Sequence, residues 1–252
     1  MYRRLLQASL CFAALIFFAC STSEKHGEHD VATSLADLKV HEGFEVSLFA
    51  SEPMFSNPTN IAIDARGRVW VCEAYNYRMQ FNAKNPTREK GDRIMILEDT
   101  DGDGQADNSK VFYQGTDINS ALGICILGDK IIISRSPDVF VFTDANGDDV
   151  PDKKELLYTG IHGEQHDHGM HAFIFGHDGR LYFNTGNEGQ NLLTPDKDTV
   201  VDIHGRNVMT GGKPFRQGLA FRADIDGSHV EVLGQNFRNP FELVLDPFGT
   251  IW

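Results

Sequence analysis

Apolar and polar side chains alternate along most of this chain, in short stretches separated by turns that contain glycine. Phe173 and Phe175 precede the Asp-Gly turn at residues 177–180, and Leu181 and Phe183 follow it. Alternation with a period of two around such a turn predicts a β-hairpin with one face buried. Long stretches with helical periodicity are absent from the sequence, so we predict an all-β fold.

The same hairpin pattern recurs along the sequence. Its copies share a strand, a glycine turn and a second strand, and they lie at residues 61–70, 124–133, 173–182 and 243–252. A second unit also repeats, because Arg93–Gly115 aligns without gaps on Asp138–Gly160, and 45 residues separate Asp99 from the matching Asp144. A repeat of about 45 residues that contains only strands and turns is typical of a β-propeller.

Repeats counted from about residue 40 predict between four and five propeller blades within residues 38–252. The last copy of the hairpin stops at Trp252, within a predicted strand. An open propeller would expose unpaired strand edges, so we expect the propeller domain to be incomplete at its C-terminal side.

The first residues differ from the rest of the chain. Arg3 and Arg4 precede the apolar run Leu5–Ala19, which is shorter than the roughly 20 residues of a membrane span and is typical of an export signal. The segment Phe17-Phe18-Ala19-Cys20 resembles a bacterial lipobox. We therefore expect a lipoprotein signal peptide at residues 1–19, a lipidated Cys20 and a tether at residues 20–37, with an ordinary signal peptide as the alternative.

These features predict an exported protein, periplasmic or at the cell surface, that is lipid-anchored to a bacterial membrane. Loss of residues 1–19 removes two arginines and no acidic residue, so the formal charge changes from −13 to −15. Such an acidic surface argues against binding of nucleic acid. Cys72 and Cys125 lie in apolar strand patterns and are expected to be buried free thiols, with one disulfide as the alternative. The chain has no CxxC or CxxCH motif for a zinc ribbon or for covalent haem.

Two acidic loops follow strands of the second repeating unit. Their carboxylates and amides occupy alternate positions, which is the spacing with which a loop binds Ca²⁺. The candidate ligands are Asp99, Asp101, Asp103 and Asp107 in the first loop and Asp144, Asn146, Asp148 and Asp152 in the second. Neither loop is a complete EF-hand, because Lys110 and Asp149 stand where glutamate and glycine belong. Each loop could instead be a plain hairpin turn rich in Asp, Asn and Gly.

Polar residues gather at the end of the hairpin that lies opposite its turn. Asp167 and His168 precede the first strand, and residues 185–191 (Thr-Gly-Asn-Glu-Gly-Gln-Asn) follow the second. Antiparallel strands bring these two ends to one edge of the sheet. That edge therefore gathers a titratable imidazole, amide groups and glycines, and it is the candidate active site.

Asp167–Leu193 resembles the corresponding segment of the soluble quinoprotein glucose dehydrogenases and the wider glucose/sorbosone dehydrogenase family. Both share Asp-His, Gly-x-Asp-Gly, Leu-Tyr and Gly-Asn-x-Gly-x-Asn-x-Leu, and Gly234–Pro240 resembles the family's Arg-Asn-Pro segment. Residues 40–53 and 99–104 resemble, more closely still, the exported proteins of planctomycetes that are described as membrane-bound dehydrogenases. Those proteins commonly continue into helical repeats and a haem-binding cytochrome c domain.

This resemblance implies a six-bladed propeller that oxidises a sugar or another alcohol with pyrroloquinoline quinone (PQQ). The residue matching His168 is the family's general base, which Asp167 could orient, and Arg238 and Asn239 match residues that hold the quinone. Cytochrome c would accept the electrons, and haem would be present only if a further C-terminal domain exists. The family has glutamines facing the cofactor where this chain has Ile118 beside Asn119 and Leu192 beside Asn191, and Phe241 replaces a third polar contact.

Two other interpretations remain open. A metal site could use imidazoles and carboxylates near the same edge, if a strand places His166 and His168 on one face. Its candidate ligands are His162, Glu164, His166, Asp167, His168 and His171. A non-catalytic propeller could instead bind carbohydrate or a protein partner. Side chains after Trp70 could contact sugar, although loop packing is the favoured role for Glu73, Tyr75 and Tyr77.

Overall fold

The computed structural model describes residues 30–78, 84, 86–162, 166–189, 191–210 and 213–252, without the side chain of His166. The expected signal peptide, Cys20 and the first part of the tether lie outside the described residues. The chain divides into two compact units, Met1–Leu48 and Phe49–Trp252. The first contains helix α1 (Val31–Asp37), which begins after Asp30, whose carboxylate accepts a hydrogen bond from the Thr33 amide at 3.0 Å. This capped helix falls within the expected tether and buries no side chain.

The unit Phe49–Trp252 is built of antiparallel strands in three four-stranded sheets. The first sheet contains β1 (Pro58–Ile63), β2 (Val69–Glu73), β3 (Asp92–Glu98) and β4 (Asn108–Gly115). The second contains β5 (Gly123–Leu127), β6 (Lys130–Arg135), β7 (Asp138–Thr143) and β8 (Lys153–Tyr158). The third contains β9 (Met170–Phe175), β10 (Leu181–Thr185), β11 (Gly218–Ala223) and β12 (Glu231–Phe237). Within each sheet, each strand pairs with the next one in sequence, which is the topology of a propeller blade.

The predicted hairpins are confirmed. Strands β1 and β2, β5 and β6, and β9 and β10 pair at the repeated segments, and Leu245 pairs with Ile251 in the fourth copy. The second repeating unit forms the outer hairpins β3–β4 and β7–β8. The all-β propeller fold predicted from the sequence is therefore correct.

Fewer complete blades are present than the repeat length predicted. The described residues contain three complete sheets and the first hairpin of a fourth, where four to five blades were expected. The first blade starts at Pro58 rather than near residue 40, and residues 186–217 form a long connection between β10 and β11. These segments take up chain length that the count had assigned to strands. Closure with six blades stays a prediction.

Neighbouring sheets pack face to face through apolar side chains. Trp70, Cys72 and Ile94 of the first sheet meet Ile124 and Phe142 of the second. A similar cluster joins the second sheet to the third through residues that include Cys125, Ile132, Tyr158, Phe173 and Phe183. Both cysteines are free, and burial raises the pKa of each thiol, to about 11 for Cys125. The expectation of buried free thiols is confirmed. Among the described residues, no helix has the length and apolarity needed to cross a bilayer.

One glycine contact in the first blade gives a testable prediction. Gly91 has φ +89°, and a Cβ there would lie 2.1 Å from the carbonyl carbon of Gly115. We expect Gly91→Ala to lower the free energy of unfolding by about 3 kcal/mol, because left-handed strain and a backbone collision add. Gly104 has the same φ of +89° with nothing near its Cβ position, so Gly104→Ala should cost only about 1 kcal/mol. Urea denaturation of both variants measures the difference, and equal losses would contradict the packing argument.

Candidate functional site

His168 lies at the end of a short 3₁₀ helix (His166–His168) that leads into β9. A strand had been expected here, with His166 and His168 on one face. The segment is a 3₁₀ helix, so the premise that a strand places both histidines on one face is wrong. This turn directs two backbone carbonyl oxygens toward hydrogen-bond donors on neighbouring segments. The Asp167 carbonyl faces His171 and Asn239, and the His168 carbonyl accepts from the Glu188 amide. Glu164 and the side chain of His166 lie outside the described residues.

The imidazole of His168 is oriented by an amide. Its Nδ1 lies 2.5 Å from Oδ1 of Asn187, in the turn that follows β10. An amide oxygen can only accept, so Nδ1 carries the proton and the lone pair is left on Nε2. Asn187 is fixed in turn, because its backbone N–H donates to the carbonyl oxygen of Arg238 at 2.9 Å. The arrangement gives a half-buried imidazole the tautomer of a general base.

Asp167 has a different role from the one predicted. Its carboxylate lies 3.3 Å from Nη2 of Arg78, in the loop that follows β2. Burial raises the pKa of Tyr77, and the negative charge of Asp167 and a hydrogen bond to it act in the same direction. Asp167 therefore holds a loop of the first blade against the third blade. The expected pairing of Asp167 with His168 is corrected, because the orienting bond comes from Asn187.

The two predicted motifs meet at one edge, as the sequence indicated. Asn239 donates from Nδ2 to the carbonyl oxygen of Asp167 at 2.8 Å, although 72 residues separate them. Gly186 makes this approach possible, since a Cβ there would lie 2.3 Å from Oδ1 of Asn239 and 2.5 Å from the carbonyl oxygen of His168. Arg238 is exposed beside them, and no hydrogen bond or ion pair among the described residues uses its guanidinium.

The predicted amide contacts are mostly occupied by the protein. Nδ2 of Asn239 donates to the carbonyl oxygen of Asp167 and so holds a turn of the protein, whereas its Oδ1 is buried without a partner. Asn119 accepts from the Asp92 amide at 2.9 Å and from Asn76 at 3.1 Å. Asn191 is half-buried and bridges to Met209 through its backbone.

The apolar replacements also lie differently from what the resemblance implied. Ile118 and Leu192 are buried in the clusters between sheets, so they fill the core and do not replace a contact at the site. Phe241 is partly exposed, and its ring centroid lies 5.0 Å from that of His171. Among the three, Phe241 alone is exposed, and its ring packs against His171.

The acidic loops are tight hairpin connections held by their own carboxylates. In the first loop, carboxylate oxygens of Asp99, Asp101 and Asp107 lie within 4.8 Å of one another. A hydrogen bond from the Gly104 amide contributes most to the lowered pKa of Asp99. The carboxylate of Asp103 instead accepts a hydrogen bond from the Gln105 amide at 2.8 Å and is not one of these three converging carboxylates. This loop has the donor chemistry that Ca²⁺ requires.

The second loop keeps the turn geometry without that convergence among its described carboxylates. Its side-chain oxygens accept hydrogen bonds from backbone amides of the same loop. Asp144 accepts from Gly147, Asn146 from Asp148, Asp148 from Val150 and Asp152 from Ala145. The next residue, Asp149, forms ion pairs with Arg68, Arg66 and Lys110 of the first blade. The second loop therefore joins two blades.

Sequence reasoning missed Arg78, and it did not assign the contacts that Asn187 and Tyr77 make at this edge. A signal for Asn187 existed, because it lies in the polar segment predicted to reach the same edge as His168. Arg78 and Tyr77 come from a different blade, and no local pattern connects them with Asp167. The packing role favoured for Glu73 agrees with the structure, where its buried carboxylate binds Arg88 and Arg93.

Several solved structures resemble this chain. The holo PQQ domain of pyranose dehydrogenase from Coprinopsis cinerea matches with a TM-score of 0.54 and 19% identity, over 78% of this chain and 43% of that domain. The calcium structure of the Trichoderma reesei protein of Carbohydrate-Active Enzymes Family AA12 matches with a TM-score of 0.47 and 14% identity, over 80% of this chain and 57% of that one.

A Thermus thermophilus oxidoreductase (glucose dehydrogenase) matches with a TM-score of 0.32 and 13% identity, over 78% of this chain and 90% of that one. The chain thus spans less than half of the C. cinerea domain, and at this identity the likeness concerns the fold. No curated protein matches the chain. The family model described as Domain of unknown function (DUF7133) matches residues 30–252, and the chain therefore belongs to that family.

Proposed function

We propose that this protein is an exported oxidoreductase that oxidises a sugar or another alcohol with a quinone-type cofactor and passes the electrons to a cytochrome. The observation that supports this best is the imidazole of His168, which Asn187 holds in the tautomer of a base. The backbone of Asn187 also binds that of Arg238, whose side chain is exposed. The PQQ domain of pyranose dehydrogenase has the same fold, which agrees with such chemistry.

The residues of this chain have separable tasks in the proposed reaction. Nε2 of His168 takes the proton of the substrate hydroxyl, because Nδ1 is occupied by its hydrogen bond to Asn187. The amide oxygen of Asn187 then stabilises the imidazolium that forms. Arg78 and Tyr77, held by Asp167, bring a loop of the first blade to the same edge.

The donor set fits a carboxylate-bearing quinone through one cation and one imidazole. Arg238 would hold a carboxylate of PQQ, since a guanidinium pairs with carboxylates through two parallel hydrogen bonds. Nδ2 of Asn239 and Oδ1 of Asn119 would not contribute, because each is engaged in hydrogen bonds within the protein. Bound PQQ would supply the acceptor for the hydride that leaves the alcohol carbon.

The proposal predicts PQQ-dependent dye reduction. The full-length protein is incubated with PQQ and Ca²⁺ and assayed with a panel of sugars and alcohols. We expect Arg238→Leu to weaken PQQ binding by at least about tenfold, because a charge-assisted hydrogen bond contributes about 1.5 kcal/mol or more. The control is Arg66→Leu, since Arg66 is exposed at the turn between β1 and β2.

Three results would contradict this assignment. PQQ binding that is equal in the two arginine variants would remove Arg238 from the cofactor site. Activity without PQQ that a chelator abolishes would favour a metal site. Absence of oxidation throughout the panel, with sugar binding retained, would favour a non-catalytic propeller.

We also propose Ca²⁺ in the first acidic loop, bound by Asp99, Asp101 and Asp107. Calcium at 100 times its dissociation constant should raise the free energy of unfolding by about 2.7 kcal/mol, or the unfolding temperature by about 5 to 10 °C. Asp101→Asn should abolish this response, whereas Asp148→Asn in the second loop should preserve it. Thermal unfolding with Ca²⁺ and with EGTA measures both, and an unchanged response in Asp101→Asn would rule out this site.

Localisation and partners complete the proposal. Lipidation of Cys20 would hold the propeller at a bacterial membrane, in reach of a cytochrome c acceptor on the same or another polypeptide. The charged start, apolar run and Phe-Phe-Ala-Cys segment support export. Cys20→Ser should move the protein from the membrane fraction to the soluble exported fraction, and membrane retention would contradict the lipid anchor.

A further inference from the structure

His171 connects the two segments that carry the candidate base and the guanidinium. It is the second residue of β9 and is fully buried. Its Nδ1 lies 2.7 Å from the carbonyl oxygen of Pro240, which follows Arg238 and Asn239. Its Nε2 lies 2.8 Å from the carbonyl oxygen of Asp167, which precedes His168. One buried ring therefore bridges both sides of the site.

The amide of Asn239 closes this bridge into a circuit. It donates to the same Asp167 carbonyl at 2.8 Å, and a carbonyl oxygen has two lone pairs, so both donors fit. Phe241 lies against the imidazole ring of His171, and Ser134 of β6 donates to the backbone carbonyl of His171 at 2.9 Å. The ring is thus held in place from several sides, and the two turns are held through it.

The two ring contacts depend on protonation. Carbonyl oxygens only accept, so both contacts are hydrogen bonds only when each ring nitrogen carries a proton. Burial lowers the pKa of His171, and its hydrogen bonds to Pro240 and Asp167 act in the opposite direction. The charge of His168 lowers this pKa further and that of Asp167 raises it. The other elements that pack against His171 contribute uncharged residues. These are Gly123 of β5, Ser134 of β6 and Phe241 in the segment after β12.

We propose that His171 is a positioning residue, which sets the separation of His168 and Arg238 through its two ring nitrogens. The effect on turnover rests on the proposed oxidoreductase function. The positioning of His168 does not, because it can be measured in the protein without cofactor or substrate. A neutral ring holds one of the two turns, and a protonated ring holds both.

The first test uses His171→Phe in the full chain, which keeps an aromatic ring against Phe241 and removes both donors. The same substitution at His177, an exposed residue of the β9–β10 turn, is the control. Long-range ¹H–¹⁵N NMR spectra report which nitrogen of His168 carries the proton. We expect the Nδ1 preference of His168 in the wild type and in His177→Phe, and its loss in His171→Phe.

The second test is a pH titration of the wild type by the same spectra, which needs no variant. We expect the signals of His168 to shift in step with the protonation of His171, because the Asp167 carbonyl links them. His168 signals that stay unchanged in His171→Phe while the unfolding temperature falls would show a merely structural role and overturn the proposal. If that variant does not fold, independent titrations of the two histidines in the wild type overturn it.

The third test is kinetic, with PQQ and whichever sugar the panel shows to be oxidised. His171→Phe should lower kcat by about 100-fold with little change in KM, because a base displaced by about 1 Å loses its alignment. An unchanged kcat would overturn the proposal. If the wild type oxidises nothing, the oxidoreductase function fails, and the NMR results alone decide the role of His171.

Discussion

Glu73→Gln will lower the free energy of unfolding by about 3 kcal/mol. Glu73 is fully buried at the end of β2. Its carboxylate accepts hydrogen bonds from Nε and Nη2 of Arg93 at 2.7 and 2.6 Å. Arg88 donates at 2.5 Å and the Ser56 amide at 2.7 Å. Glutamine keeps the shape of the side chain but removes the charge, so two guanidinium groups lose their counterion.

The expected loss lies at the lower end of the range for a broken buried ion pair. The side chains of Arg88 and Arg93 are 21% and 22% exposed, so water replaces part of the lost interaction. Glu155→Gln is the matched control, because Glu155 and its partner Lys153 are 51% and 62% exposed. That change should stay within about 0.5 kcal/mol. Urea denaturation measures both, and a loss below about 1 kcal/mol for Glu73→Gln would contradict the argument.

This ion-pair network also stabilises part of the candidate site. Arg88 lies toward the end of the segment that connects β2 to β3, and Arg93 lies at the start of β3. The same connecting segment contains Arg78, which forms the ion pair with Asp167. Asn76 in this loop donates to the carbonyl oxygen of Arg88 at 2.9 Å and receives a backbone bond from it at 2.7 Å. The first blade therefore presents Arg78 to the third blade from a loop anchored on a buried carboxylate.

The sequence predicted what depends on local patterns. Period-two alternation around glycine turns located every inner hairpin, because successive side chains of a pleated strand point to opposite faces of the sheet. It also placed the ends of β9 and β10 at one edge, which brought His168 and Asn187 together. The blade count failed, since the connection at residues 186–217 contributes length without a repeat.

The sequence could not predict partners chosen across blades. An adjacent carboxylate is a reasonable partner for an imidazole, yet Asp167 binds Arg78, whose loop lies about ninety residues away in sequence. Asn239 matched a family residue by its motif, but Gly186 allows its amide to approach so closely that it is enclosed. Burial decided these roles, and burial depends on which segments the whole fold brings together.

His168→Ala will lower kcat/KM by about 1,000-fold, because a positioned general base contributes about 10² to 10⁴ in rate. Asn187→Leu should lower it by about 100-fold, since His168 loses the acceptor that keeps Nδ1 protonated and Nε2 available. Asn187→Asp keeps an acceptor and adds a negative charge, which favours the protonated imidazole. That variant should retain activity with its pH–rate profile moved toward higher pH.

Steady-state rates from pH 5 to 9 with PQQ measure these three variants. Asn207→Leu is the control, because Asn207 is exposed in the connection between β10 and β11 and should leave the profile unchanged. Activity that survives His168→Ala would reject the assigned base. If Asn187→Leu and Asn187→Asp lose activity equally, the hydrogen bond does not act through the tautomer of His168, because only one of the two variants removes the acceptor.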